Sequence, residues 1–242
     1  MNPLNPSGKR AIVTPVLGFD AFVVDEPWPW RDENAEAIGE HWARAAAEKP
    51  SLFDGEVLVA RRFSIEDGIW RGAHIVVRYS GLNYWLSQGF IETGACNTFA
   101  SAVVVTADGA VLLGRMGAHT ANAGRLYFPC GTPDLDDVTG GRLDFEASML
   151  RELEEETGLG ADVLVPSEQR WISQDGPLVC CARRIDTRLT ADEVRARFEA
   201  HRASGGDDEL ADIVLVRDAA SLNNVLEYAR SLVEIVTGGR AA

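Results

Sequence analysis

The chain has few cysteines and no long apolar run, and both absences exclude classes of protein. Its 242 residues include four cysteines, two of which are the adjacent Cys180 and Cys181. No C-x-x-C spacing occurs, so we expect neither a disulfide framework nor a zinc knuckle. No apolar run approaches the roughly 20 residues that a membrane-spanning helix needs. Residues 1–10 contain no apolar stretch either, so we expect no secretory signal and a cytoplasmic protein.

Basic residues are scarce relative to acidic ones. The chain has 23 Lys and Arg against 37 Asp and Glu, which gives a formal net charge of -14. A surface of this charge repels nucleic-acid phosphates, and no basic cluster offsets it, so nucleic acid is not an expected partner. If the substrate is a small anion, a divalent metal is the natural bridge between it and the protein. The composition carries no signal for an oligomeric state.

Apolar periodicity and turn residues predict a mixture of strands and helices. Runs rich in β-branched and aliphatic residues predict strands at 11–16, 56–63, 73–79, 100–106, 110–116, 126–131, 161–165, 177–184 and 211–216. Amphipathic patterns predict helices at 33–49, 144–157, 190–202 and 219–236. For the second of these, Asp144 is a good N-cap and Gly158 a good stop. Because strands and helices do not alternate strictly, we expect the α+β class or an α/β/α sandwich around a mixed sheet.

Three glutamates on the helix predicted at 144–157 point to chemistry. In RELEEETGL, residues 151–159, Glu152, Glu155 and Glu156 stand at i, i+3 and i+4 and therefore share one face. Like charges at these spacings destabilise a helix by roughly 0.2–0.5 kcal/mol per pair, and the macrodipole disfavours anions in the last turns. Hard cations would relieve this repulsion, because Mg²⁺ prefers carboxylate oxygens. A solvated acidic face is the simpler alternative.

The same segment resembles the second half of the Nudix signature, G-x5-E-x7-R-E-U-x-E-E-x-G-U, where U is aliphatic. RELEEETGL matches every fixed position from Arg151 onward. The first half departs from the pattern. FPCG at 128–131 is similar to the family's usual entry, but Gly131 lies 20 positions before Arg151 instead of 14. Counting back from Arg151, the signature's glutamate falls on Leu143, so Asp144 or Glu146 are the candidates to replace it.

This resemblance implies a Nudix hydrolase that cleaves a diphosphate bond with Mg²⁺, or with Mn²⁺. It implies Glu155 and Glu156 as the principal metal ligands, and Glu152 as a further ligand or as the base that orients water. The backbone carbonyl of Gly131 would complete the ligand set, and Arg151 would orient a glutamate by a charge-assisted hydrogen bond. The implied catalytic residues are therefore Arg151, Glu152 and Glu155. The metal would neutralise phosphate oxygens and acidify a water molecule.

The resemblance covers roughly residues 97–242, which predicts an N-terminal α+β segment over 1–95 and a Nudix domain over 96–242. LFDG at 52–55, GLNYWL at 81–86 and the stretched loop are together similar to the UDP-sugar-hydrolysing branch. That branch cleaves UDP-glucose or UDP-galactose to UMP and a sugar 1-phosphate. The alternatives are hydrolysis of ADP-ribose, dinucleotides or nucleoside triphosphates, and a Nudix-fold module that binds a nucleotide without cleaving it.

Several residues outside the signature are candidates for the site. Tyr84, His119 and Asn122 are candidate substrate contacts. A core position is the favoured alternative for Tyr84, and a polar surface loop is an equally simple alternative for the other two. The acidic turn at 207–209 is a candidate source of a further ligand or base, with a solvated turn as the favoured alternative. Cys130 has no neighbour in sequence that would make it a nucleophile.

Overall fold

The computed structural model describes residues 9–50, 52–89, 91–118, 120, 123–206 and 209–238, and it shows an α+β protein, as predicted. The helices of these residues are α1 (Pro29–Glu33), α2 (Ala35–Glu48), α3 (Tyr79–Ser87), α4 (Phe145–Thr157), α5 (Ala191–Ala203) and α6 (Glu227–Val236). The strands are β1 (Ile12–Val16), β2 (Gly18–Val23), β3 (Glu56–Glu66), β4 (Ile69–Arg78), β5 (Asn97–Val105), β6 (Val111–Met116), β7 (Leu126–Tyr127), β8 (Val138–Thr139), β9 (Arg142–Leu143), β10 (Leu164–Asp175), β11 (Leu178–Thr187) and β12 (Leu210–Val216). In this part of the chain, no helix has the length and apolar character required to cross a membrane.

The larger sheet has seven strands in the order β1-β10-β11-β5-β6-β12, with β7 paired to β6. Strands β11 and β5 are parallel, and the other pairs are antiparallel. The mixed sheet predicted from the sequence is therefore confirmed. A parallel pair requires a crossover connection, and this one places β5 and β11 together in the middle of the sheet.

A second sheet has five strands in the order β3-β4-β2-β9-β8. Strands β2 and β4 are parallel, whereas β9 pairs with β2 antiparallel. Each sheet combines strands from both sides of residue 95. Strand β1 pairs with β10 in the larger sheet, and β8 and β9 belong to the sheet built around β2, β3 and β4. Backbone hydrogen bonds thus cross the expected domain boundary in both directions.

Strand β5 shows how the larger sheet is covered. Phe99 is buried on one face, where its ring meets that of Tyr228 on α6 at 5.0 Å between centroids. Ala100 is buried on the other face, in a cluster with Phe145 of α4 and Trp70 of the second sheet. Because successive side chains of a strand point to opposite faces, helices cover both faces of the larger sheet. The second sheet packs on the same face of the larger sheet as α4.

Some predicted elements differ from those observed. The strand predicted at 161–165 is β10, which continues through a polar sequence to residue 175 because β1 and β11 pair with it on both sides. The helix predicted at 219–236 begins only at Glu227. Asp218 caps a short 3-10 turn, and Asn224 adopts a φ of 57° that interrupts helical geometry. The aromatic segment at 79–87 is helical, and β2 was not predicted.

His74 is a buried titratable residue of the core. It lies on β4 at 0% exposure, and its Nε2 is 2.8 Å from the Thr98 hydroxyl oxygen. The rings of Trp70 and Phe145 lie 6.0 and 5.7 Å from its own. Burial in this apolar surrounding lowers the pKa of His74 from 6.5 to about 4. The folded protein therefore holds a neutral imidazole at neutral pH.

This burial predicts an acid-sensitive fold. The folded pKa lies below the unfolded one, so the unfolded state binds more protons between pH 6.5 and 4, and stability rises with pH there. The His74 contribution is complete above about pH 6.5 and is lost as the pH falls toward 4, at a total cost of about 3 kcal/mol in the free energy of unfolding. Urea unfolding across this pH range measures the loss.

The control is His74→Gln, whose amide can still meet the Thr98 hydroxyl but does not titrate. Every other titrating group is common to both proteins. The variant should therefore lose less stability than the wild type between pH 6.5 and 4, whatever its stability at pH 7. Parallel pH dependences in the two proteins would show that His74 is not the cause.

Candidate functional site

Helix α4 begins and ends where the sequence predicts. The Asp144 carboxylate accepts hydrogen bonds from the backbone N–H groups of Glu146 at 3.1 Å and Ala147 at 3.0 Å. Gly158 ends the helix with a left-handed φ of 73°, which glycine adopts without steric cost. Leu153 is fully buried and anchors the last turns in the core. The helix therefore holds its acidic residues in a defined position.

A carboxylate that the sequence analysis did not select faces Arg151. Oδ1 of Asp137 accepts a hydrogen bond from Nη2 of Arg151 at 3.0 Å. Its Oδ2 accepts from the Ser148 hydroxyl at 3.1 Å and from the backbone N–H of Asp134 at 3.3 Å. The Asp137 side chain is only 4% exposed. It also lies six positions after Gly131, which is the spacing of the glutamate in the Nudix signature.

The two acids proposed from the sequence to replace that glutamate have other partners, so that prediction is wrong. Asp144 caps α4, and Glu146 binds Arg170 at 2.7 Å and also Arg183, which ties the start of the helix to β10 and β11. Counting back from Arg151 failed because the extra residues lie between the acid and the arginine. They include the hairpin of β8 and β9, which joins the second sheet.

The three glutamates of α4 have different environments. Glu156 is buried at 2% exposure, whereas the side chain of Glu152 is 16% exposed and that of Glu155 is 54% exposed. Nη1 of Arg151 lies 2.7 Å from Oε1 of Glu152 and 3.3 Å from Oε2 of Glu155. Together with Asp137, one guanidinium thus contacts three carboxylates. Three carboxylates against one guanidinium leave the cluster with a formal net negative charge, and Glu156 lies on the same turns of the helix.

The charges of this cluster shift the pKa values of two members. Burial raises the pKa of Glu152; the Arg151 charge opposes this rise, and the charges of Glu155 and Glu209 add to it. Burial acts to lower the pKa of Arg151, but the hydrogen bond to Asp137 and the surrounding carboxylates outweigh it and raise that pKa. Arg151 is therefore a permanent cation, and the ionised form of Glu152 would be stabilised by a further positive charge.

Gly131 lies directly against Glu152. A Cβ atom on residue 131 would overlap the Glu152 carboxylate, so glycine leaves the room that this carboxylate occupies. Both residues line a cavity of about 480 Å³, together with Thr132. Glu209 lines the same cavity, which brings one acid of the predicted 207–209 turn to the site. The other two, Asp207 and Asp208, lie outside the described residues.

The rest of the cavity wall is largely apolar and aromatic. Its polar groups outside the acidic end come from Lys49, Asn97 and Thr120. The apolar and aromatic lining consists of Tyr79, Leu82, Leu86, Phe99, Met116, Tyr127, Leu178, Leu226 and Tyr228. A cavity of this size with an apolar body suits a flat organic group. Its acidic end repels an anion and would accept one only through a bound cation.

The residues predicted to contact substrate are placed differently. Tyr84 stacks on Trp30 at 5.8 Å between ring centroids and has His41 at 5.5 Å, on the side of α3 that faces α1 and α2. It does not line the cavity, so the core interpretation describes it better. The same helix reaches the cavity through Tyr79, which the sequence analysis did not select. His119 and Asn122 lie outside the described residues.

Cys130 also lines the cavity, and its thiol is protonated. Burial raises the pKa of the Cys130 thiol well above its usual value, and the charge of Glu156 adds to this effect. A thiolate is the reactive form of cysteine. Cys130 is therefore a small wall residue of the cavity, in agreement with the sequence interpretation.

The side chains at the acidic end fit a hard cation in their chemistry. Carboxylate oxygens and a backbone carbonyl are the ligands that Mg²⁺ takes, and Glu152, Glu155, Glu156 and Gly131 supply such groups. A bound cation would also stabilise the ionised form of Glu152, whose pKa is raised by burial. Across the described ranges, however, no three His, Cys, Asp or Glu side chains converge closely enough to hold an ion. Arg151 occupies the space between two of the carboxylates.

No family model matches the chain, and no curated protein matches it. Solved structures do. A Nudix hydrolase from M. smegmatis, RenU, has a TM-score of 0.41 and 16% identity over 60% of this chain and 88% of its own. A MutT protein from Methanosarcina mazei Go1 has a TM-score of 0.41 and 18% identity over 60% of this chain and 95% of its own. An Ap4A hydrolase from C. elegans has a TM-score of 0.40 and 15% identity over 58% and 96%. At these values the likeness carries no argument about activity, which has to come from the residues of the site.

Proposed function

We propose that the protein is a Nudix hydrolase that cleaves the diphosphate bond of a nucleoside diphosphate derivative with Mg²⁺. The observation that carries this proposal is the acidic end of the cavity. There Glu152 lies against Gly131, and Arg151 joins Glu152 to Glu155 and Asp137. A self-repelling cluster at the wall of a cavity is costly for a purely structural role, and it suits a site for a cation and an anionic substrate.

Each side chain has a role that its position supports. Glu152, Glu155 and Glu156, with the carbonyl of Gly131, would hold the ion, and Mn²⁺ would serve the same set. When bound, the ion supplies positive charge for the phosphate oxygens and acidifies a water molecule. Arg151 orients Glu152 and Glu155 through charge-assisted hydrogen bonds. Glu209, on the same cavity wall, is a second candidate to accept a proton from water.

UDP-glucose or UDP-galactose is the substrate class that we propose, with UMP and a sugar 1-phosphate as products. The GLNYWL segment, which is similar to the UDP-sugar branch, supplies Leu82 and Leu86 to the cavity wall. The N-terminal half of the chain therefore contributes to the space beside the acids. The division of the chain at residue 95 and the cytoplasmic location remain predictions.

A substrate panel tests the proposal. Purified protein with Mg²⁺ is offered UDP-glucose, UDP-galactose, ADP-ribose, a dinucleotide and a nucleoside triphosphate, and the products are identified by chromatography. We expect the highest kcat/KM for a UDP-sugar, with UMP among the products and no turnover when Mg²⁺ is chelated. Much faster hydrolysis of ADP-ribose would exclude the UDP-sugar assignment but keep the hydrolase. Turnover that persists after chelation would contradict the metal.

A module that binds a nucleotide without cleaving it is the second candidate. It is favoured by the ion pairs of Arg151, which occupy the space between Glu152 and Glu155, and by the lack of three converging ligands in the described part of the chain. The same panel separates the two functions. Saturable binding of UDP-glucose without product over hours would support the module and contradict the hydrolase.

A further inference from the structure

A second cavity, of about 520 Å³, adjoins the first and is not used by the proposed reaction. Lys49 and Tyr79 line both cavities and therefore mark their junction. Lys49 follows the end of α2, and Tyr79 is the first residue of α3. Glu152 lies on the wall of the first cavity and Phe53 on the wall of the second.

One loop forms the floor of both cavities. Gly131 and Thr132 line the first, and Asp134 lines the second. The loop is held between them, because the N–H of Leu58 on β3 donates to the carbonyl of Pro133 at 2.8 Å. The Asp134 carboxylate also caps the turn that presents Asp137 to Arg151. The second cavity thus has a defined position relative to the acidic end.

The lining of the second cavity combines exposed apolar groups with carboxylates. Phe53 is 80% exposed and Leu135 is 42% exposed, so both side chains present apolar surface at this cavity. Glu56 and Asp136 are exposed on the same wall. Ionised carboxylates only accept hydrogen bonds and repel phosphates. Such a wall suits a neutral group that presents hydroxyl donors and an apolar ring face.

We infer that the second cavity binds the distal, hydroxyl-rich group of the substrate, that is, the sugar of a nucleoside diphosphate sugar. The first cavity then holds the base against its apolar wall, and the diphosphate passes the junction at Lys49 on the way to Glu152. Phe53 provides a ring face for the sugar, and Glu56 and Asp136 accept from its hydroxyls. This inference rests on the proposed function and adds the residues that select the sugar.

The test compares the two halves of the substrate as separate products, which the enzyme cannot turn over. Binding of UMP and of glucose 1-phosphate is titrated with Mg²⁺ for the wild type, for Phe53→Ala and for Ile12→Ala, a control that removes an apolar side chain of similar exposure from β1. Phe53→Ala should raise the Kd of glucose 1-phosphate about fivefold and that of UMP by less than about twofold. Ile12→Ala should change neither value. The KM for UDP-glucose should rise with the Kd of glucose 1-phosphate.

Two results would overturn the inference and leave the proposed function intact. One is a wild type that hydrolyses UDP-glucose while Phe53→Ala leaves its KM and the Kd of glucose 1-phosphate unchanged. The other is an equal loss for UMP, which would place the base at Phe53. A wild type that neither binds nor hydrolyses UDP-glucose would contradict the UDP-sugar assignment on which this inference rests. Leu135→Ala repeats the measurement on the same wall without an aromatic side chain.

Discussion

Replacing Glu155 by glutamine is expected to lower kcat by on the order of a hundredfold or more, because Glu155 is a charged ligand of the ion in the proposed mechanism. The Glu155 side chain is 54% exposed and forms an ion pair with Arg151 at 3.3 Å. The free energy of unfolding should therefore change by less than about 1 kcal/mol. Steady-state kinetics across a Mg²⁺ titration, together with urea unfolding, measure both quantities.

The matched control is Glu154→Gln, one position earlier on the same helix. Glu154 is also exposed, and its carboxylate lies near Gly160, away from the cavity. Both variants remove one negative charge from α4, so a general electrostatic effect would appear in both. We expect near wild-type turnover for the control. Unchanged turnover in Glu155→Gln would show that Glu155 is not required for the reaction and would contradict the proposed metal-dependent mechanism.

Replacing Asp137 by asparagine should reduce kcat by about 10- to 100-fold, the usual effect of losing a group that orients a ligand. The Asp137 carboxylate accepts from Arg151, Ser148 and Asp134, and one amide oxygen cannot replace all three contacts. The loss of this nearly buried acceptor should also lower the free energy of unfolding by about 1–3 kcal/mol. Kinetics at 10 °C keep the destabilised variant folded during the assay.

Asp162→Asn is the control that distinguishes a positioning role of Asp137 from the general effect of losing an ion pair. Asp162 forms a bidentate ion pair with Arg197, with both hydrogen bonds at 2.9 Å, and this pair lies on the exposed surface. Its removal should leave turnover and stability nearly unchanged. If Asp137→Asn lowered stability while kcat and the Mg²⁺ dependence of the folded protein stayed at the wild-type level, Asp137 would be a structural residue only.

The acidic helix illustrates what could be predicted from local pattern. Its N-cap at Asp144, its glycine stop at Gly158 and its buried Leu153 follow from rules that act within one or two turns. The expected common face of the three glutamates is only partly observed. Glu156 turns toward the core and Glu155 toward solvent, because the surfaces that cover the helix are supplied by distant strands.

Asp137, the buried partner of Arg151, is a site residue that the sequence pattern did not identify. A forward count of six positions from Gly131 leads to Asp137, whereas the backward count from Arg151 used in the sequence analysis leads to Leu143. A single sequence does not locate an insertion within a loop. The insertion could be located only when β9 paired with β2, a strand more than a hundred residues earlier. Backbone pairing over such a separation depends on the assembled sheet, which short-range periodicity does not encode.

The residues that line the two cavities could not be predicted from the sequence either. Lys49, Tyr79 and Phe53 come from the N-terminal part of the chain, where the sequence predicts the end of a helix, the end of a strand and a loop, respectively. In the fold, Lys49 and Tyr79 line the first cavity with Gly131 and Glu152, and Phe53 lines the second. The hydrogen bond from the Leu58 N–H to the Pro133 carbonyl holds the loop before α4 against β3. Tyr84, a predicted substrate contact, stacks instead on Trp30 of α1, a neighbour that the sequence pattern did not indicate.

Local chemistry was enough to establish the acidic helix, its two ends, the α+β class and the type of ion that its carboxylates would favour, because capping, periodicity and charge spacing act between residues close in the chain. The partner of Arg151, the burial of each glutamate and the walls of the two cavities were decided by the packing of the two sheets. Those features arise from contacts between residues far apart in sequence, whose geometry exists only in the folded molecule.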